Sequence, residues 1–69
     1  RAAALAVQGT ALHEMGLAQL AQGQTAAGRQ QLEAARKALA EVQDNHPELD
    51  PLGSMAGRRA SIEARLKTL

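Results

Sequence analysis

Glycines at positions 9, 16 and 28 constrain this chain more than any other feature, because all three fall inside helical patterns. A Gly in a helix interior costs about 1 kcal/mol against Ala. On a wheel at about 100° per residue, Leu5, Leu12, Gly16 and Leu20 share one side of the first pattern. Gly9 lies between them, Met15 at one margin and Leu17 at the other, while Glu14 and Ala18 point away. Gly28 joins the apolar face of a second pattern. There Leu32, Ala35, Leu39 and Val42 recur at spacings of three and four, and Gln30, Glu33, Lys37 and Glu41 take the opposite side. Small residues on two neighbouring apolar faces imply that another backbone comes close, which makes Gly9–Gln43 the centre of the fold.

The break between the patterns is Gly23-Gln24-Thr25. Gly23 suits the position just past a helix C-terminus, and Thr25 is an expected N-cap for the next helix. With helices over about 2–22 and 26–43, so short a connection predicts an antiparallel helical hairpin. Glu33 and Lys37 have the spacing of a favourable i,i+4 ion pair. Asp44-Asn45-His46-Pro47-Glu48-Leu49-Asp50-Pro51 then reads as a linker, since both prolines disfavour helix at the preceding residue. Leu49 and Leu52 are expected to tuck beneath it. A third helix, over about 54–68 and capped by Ser54, carries a narrow stripe of Met55, Ile62, Leu66 and Leu69 bordered by Arg58, Arg59 and Arg65. So narrow a stripe predicts a cover for an exposed end, not the filling of a centre; Gly57 obscures where the helix begins. The expected fold is all-α: a hairpin plus a third capping helix, in one small domain spanning 1–69.

A 69-residue chain buries only roughly 60% of its unfolded surface. There is no Phe, Tyr or Trp to enlarge the core. The net charge of +1, with both signs interspersed, gives no electrostatic case for nucleic acid or an anionic membrane as partner. Absence of Cys excludes a disulfide framework and thiolate metal sites. No apolar run approaches the ~20 residues of a membrane span. The first residue is Arg1 and the helical pattern is already under way, so the expectation is a piece of a longer, cytoplasmic protein.

Chemistry finds little support. His13 and His46 lie far apart without a second His at i+4, so metal-ligand spacing is missing. No nucleophile context surrounds any Ser. Gly23-Gln-Thr-Ala-Ala-Gly28 has the glycine spacing of a phosphate-binding loop, but Arg29-Gln30 stand where Lys and Ser or Thr are required, and no strand precedes it. Arg58-Arg59-Ala60-Ser61-Ile62 has the form of a basophilic kinase target, although Ser61 would lie in mid-helix. Neither an enzyme, a cofactor nor a metal is expected. A helix-turn-helix DNA binder would need a shorter linker and a more basic recognition helix.

Leu12, Met15, Gly16, Gly23, Gly28, Leu32 and Ala35 stand at the mutual spacings of the tetratricopeptide repeat, a helix–turn–helix unit of about 34 residues. The chain resembles that family over about residues 9–47. The longer second helix and Asp44-Asn-His-Pro-Glu-Leu49 resemble its kinesin-light-chain-like variety. It departs from the pattern in having Gln19 and Leu32 at the aromatic positions and Gly28 for the usual Ala, and Pro51–Leu69 do not restart it. The resemblance implies a scaffold for protein–protein interaction whose binding surface comes mainly from the first helix of each repeat. Carried over, those positions are Thr10, His13, Leu17 and Leu20, with Glu14 beside them. The Lys and Asn residues that clamp a peptide carboxylate in some members are absent. The expected partner is a protein or peptide. The alternative is a homo-oligomer, in which the apolar faces pair with copies of the same chain. Whether the glycines face a helix of their own chain or of a second copy discriminates the two.

Overall fold

A computed structural model describes residues 2–50 and 52–69; Arg1 and Pro51 lie outside the described residues. Three α-helices, α1 (Ala2–Ala21), α2 (Thr25–Asn45) and α3 (Ser54–Lys67), are joined by a tight turn and by a segment holding one 3-10 turn (Pro47–Leu49). The all-α hairpin with a third helix is the architecture expected from the apolar periodicity.

The first connection works as Gly23 suggests. Its φ of +81° lies in the left-handed region that only Gly enters without strain. The Gln24 amide donates to the Gln19 carbonyl at 2.8 Å and the Gly23 amide to that of Leu20 at 3.0 Å. This crossed pair of bonds satisfies the carbonyls that a helix end leaves open. Thr25 is not the N-cap, contrary to expectation. Gln24 occupies that position without a side-chain cap bond, and Thr25 is already helical. The chain leaves the turn one residue earlier than its capping preference implied, so Gln24 supplies the carbonyl that the Gly28 amide meets at 2.9 Å.

The α2 face is the core. Leu32, Ala35 and Leu39 are fully buried with Ile62 of α3, and Leu12, Leu20, Met55, Leu66 and Leu69 pack around them. Burying a side chain such as Leu or Ile contributes about 1.5–3 kcal/mol, so these few residues hold most of the apolar stabilisation. Ile62, at 0% exposure, therefore fills the centre, and the α3 stripe is more than a cover. Glu33 and Lys37 form no ion pair; the i,i+4 bridge present is Arg59 Nε to Glu63 Oε2 at 3.5 Å on α3.

Leu49 and Leu52 do not tuck under the linker. Leu52 is 93% exposed and Leu49 is also exposed, because the segment is organised by polar bonds instead. Pro47 ends α2 beyond Asn45, and the Asp50 carboxylate caps α3. Asp50 Oδ1 accepts from the Met55 amide at 2.9 Å and Oδ2 from the Ala56 amide at 3.0 Å. Ser54, the expected cap, is the first helical residue and donates its own hydroxyl to Asp50 at 3.4 Å. A carboxylate satisfies two orphan donors and complements the helix dipole, which a neutral hydroxyl cannot do as well.

The end contacts fix the helix directions. Arg59 of α3 donates to Gln43 near the end of α2, and Arg29 near the start of α2 donates to the Leu69 carbonyl at 3.0 Å. Thus α3 runs antiparallel to α2 and parallel to α1. Among the described residues no helix is long and apolar enough to cross a membrane.

Candidate interaction surface

The glycines decide which faces remain free. An ideal Cβ on Gly16 would stand 3.1 Å from the Gly28 carbonyl oxygen, and one on Gly28 would stand 3.0 Å from that of Gly16. The two backbones therefore cross at this pair. Leu32 closes over Gly16, Leu20 over Gly28, and Leu39 with Ala38 over Gly9. All three glycines face a helix of their own chain.

With one side of α1 committed to α2, its neighbouring side faces α3 across open space. Two open grooves follow that junction. The first is lined by Ala6, Val7, Thr10, Ala11, Glu14, Ser54 and Met55. The second is lined by Leu17, Ser61, Ala64, Arg65 and Thr68. Between them His13 and Arg58 meet, with Arg58 Nη1 at 3.1 Å from His13 Nδ1.

The five positions carried over from the repeat family divide accordingly. Thr10 and Glu14 line the first groove. Thr10 also bonds through its hydroxyl to the Ala6 carbonyl at 3.1 Å, which fixes its rotamer. Leu17 lines the second groove and is 36% exposed. His13 is buried, at 8% exposure, and occupied by Arg58. Leu20 is partly buried against the core and covers Gly28. The grooves thus gather Thr10, Glu14 and Leu17 at the α1–α3 junction, while His13 and Leu20 point into the molecule.

Sequence reasoning did not place Val7, Ala11 and Met55 beside the first groove, or Ser61, Ala64, Arg65 and Thr68 beside the second. Residues 7, 10/11, 14 and 17 do recur at helical spacing, as do 58, 61, 65 and 68. The missing information was that α1 and α3 lie side by side in parallel.

Electrostatics separate the His13 neighbourhood from the linker. Burial lowers the His13 pKa below its ordinary value of 6.5, the Arg58 cation lowers it further, and Glu14 acts in the opposite sense. The ring is accordingly neutral at pH 7. A guanidinium has only donors, so Nδ1 accepts from Arg58 and the ring proton resides on Nε2. The Asp50 carboxyl is held below its ordinary 3.8, first by the Met55 amide and then by the Ala56 amide and by the hydroxyl and amide of Ser54, with burial opposing. Glu48 is likewise lowered, chiefly by a backbone hydrogen bond, and its carboxylate approaches His46 Nδ1 at 3.3 Å.

Among the described residues no group of three or more His, Cys, Asp or Glu could hold a metal ion. The Gly23–Gly28 segment is a helix–helix turn, with Gly28 packed against Gly16 instead of a phosphate. In comparisons with known proteins, no family model matches this chain, and no curated protein or solved structure is significantly similar to it.

Proposed function

We infer that this chain is a tetratricopeptide-like interaction module that holds a partner peptide or helix along the α1–α3 junction. One observation carries the reading: α1 and α3 lie parallel on the same side of an antiparallel α2, and the grooves between them are open. Consecutive first helices of such repeats have this relation, and close crossing of α1 and α2 at Gly16 and Gly28 is what the repeat's small residues serve. The first groove offers Val7, 70% exposed, and Met55 as apolar contacts, with Glu14 as the charged group. The second offers Leu17 with Arg65. A partner with an apolar anchor for each groove suits that arrangement, as for helices docked at i, i+4 and i+7 positions.

Selection of displayed peptides against the folded chain, followed by chemical-shift mapping, tests the reading. Ligands should perturb Thr10, Glu14, Leu17 and Arg65, and Leu17→Glu should weaken them at least about tenfold, or 1.4 kcal/mol. Ligands that map to the Glu33–Lys37 face of α2, or that ignore Leu17→Glu, would refute it. Self-association is a second reading, favoured by the exposure of Val7 and Leu52. It predicts a mass that rises with concentration and falls when Val7→Glu is introduced.

A further inference from the structure

Among the described residues one side-chain hydrogen bond joins α1 to α3, the contact between Arg58 Nη1 and His13 Nδ1. Every other polar hold on α3 among the described residues goes to α2 or to the linker. Ile62 sits in the core on Leu32, Ala35 and Leu39, Arg59 bonds Gln43, and Asp50 caps the first turn. Losing the His13–Arg58 contact would therefore remove the one side-chain hydrogen bond between α1 and α3 and leave those that tie α3 to α2.

A proton does this selectively. At Nδ1 it turns the acceptor into a donor, so the hydrogen bond from Arg58 is lost. Two cations then face each other at a site where His13 is only 8% exposed. Glu14, on the same helix, offsets part of this repulsion. Where α2 meets α1 on either side of His13 it presents Leu32 and the Gly28 carbonyl oxygen at Gly16 and Leu39 with Ala38 at Gly9, none of them charged. On α3, Arg59 is engaged with Glu63 and Gln43, away from the ring.

We propose that His13 and Arg58 form a proton-released latch: protonation of His13 at Nδ1 separates α3 from α1 along their junction and leaves the α1–α2 hairpin intact. The latch is independent of what, if anything, the junction binds. Linkage fixes its size. The closed form resists the proton, so acidification raises the open population by the ratio of the two acid constants, about tenfold for each pKa unit between open and closed forms.

Spin labels measure the separation directly, since the chain has no Cys and pairs can be introduced at exposed positions. Ala18→Cys with Ala60→Cys reports α1 to α3, and Ala18→Cys with Lys37→Cys reports α1 to α2. Between pH 7.5 and 5.0 the first distance should lengthen or broaden with the same midpoint as the His13 ring resonances, while the second stays fixed. His13→Asn, which accepts from Arg58 but cannot titrate, should abolish the change. Should that variant fail to fold, Arg58→Gln serves instead, removing the second cation and moving the midpoint upward. An α1–α3 distance that stays fixed while His13 titrates overturns the latch, as does the same lengthening in His13→Asn.

Discussion

Replacing Gly16 by Ala sets two effects of opposite sign against each other, and the geometry decides between them. In an open helix the change stabilises by about 1 kcal/mol, because Ala gives up less backbone entropy on folding. Here the new methyl would stand 2.9 Å from Leu32 Cγ and Cδ2 and 3.1 Å from the Gly28 carbonyl oxygen. Leu32 is fully buried and cannot swing away, and the carbonyl belongs to the α2 ladder, so the helices must separate. Overpacking of this kind costs about 1–3 kcal/mol, so the gain is cancelled or outweighed, with a net loss of up to about 2 kcal/mol. Gly28→Ala should behave alike, its methyl meeting Leu20 at 2.8 Å and the Gly16 carbonyl oxygen at 3.0 Å. The control is Gly57→Ala, where nothing lies within 4 Å; there only the propensity gain remains. In a chain of this size 1 kcal/mol moves Tm by about 4–8 °C, so thermal unfolding followed by circular dichroism resolves the difference. The double variant should lose less than the sum of the single losses, since one methyl already parts the helices that the other would part. If Gly16→Ala raises Tm as Gly57→Ala does, no backbone rests on Gly16 and the close crossing is wrong.

Gln19→Leu should stabilise by about 1 kcal/mol, because Gln19 Oε1 is buried without a partner and an unsatisfied acceptor costs that order of free energy; urea unfolding measures it, and a loss would mean that the oxygen has a bonding partner. Gly23→Ala should destabilise by about 1–2 kcal/mol, since its φ of +81° strains any L side chain; an unchanged urea midpoint would contradict the turn. Stability should also fall in two separate acid steps in a series of melts. His13 has a lowered folded pKa, so its contribution is complete above about pH 6.5 and is lost as pH falls through the folded value. The Asp50 contribution is complete above about pH 3.8 and is lost through its own lowered value. His13→Asn should remove the upper step and Asp50→Asn the lower one, the latter with faster amide exchange at Met55 and Ala56.

What could be read from the residues alone follows a physical division. Helix α2 was legible almost entirely, because Leu32, Ala35, Leu39 and Val42 repeat against a charged opposite face and one amphipathic period suffices to find a buried side. The Gly23 turn was legible because a left-handed residue between two helical patterns has few substitutes. The caps were less so: Asp50 reaches five and six positions ahead to the amides of Met55 and Ala56, whereas Ser54 and Thr25 were favoured by adjacency alone. The candidate surface was legible on α1 only as a set of spacings. Their separation into the inward-facing His13 and Leu20 and the groove-lining Thr10, Glu14 and Leu17 depends on where α3 lies. That position is fixed by Ile62 and by Arg58 and Arg59, contacts distant in sequence that no local period encodes.

The most direct measurement is the solution mass across a range of concentrations by sedimentation equilibrium, with helicity followed in the same samples. A 7.2 kDa species whose helix signal survives dilution is the expected result. It would mean that Gly9, Gly16 and Gly28 pack within one chain and that the α1–α3 junction is free for another protein. A larger species that loses helix on dilution would contradict this, since the apolar faces would then be completed by a second copy and the junction would not be a free surface.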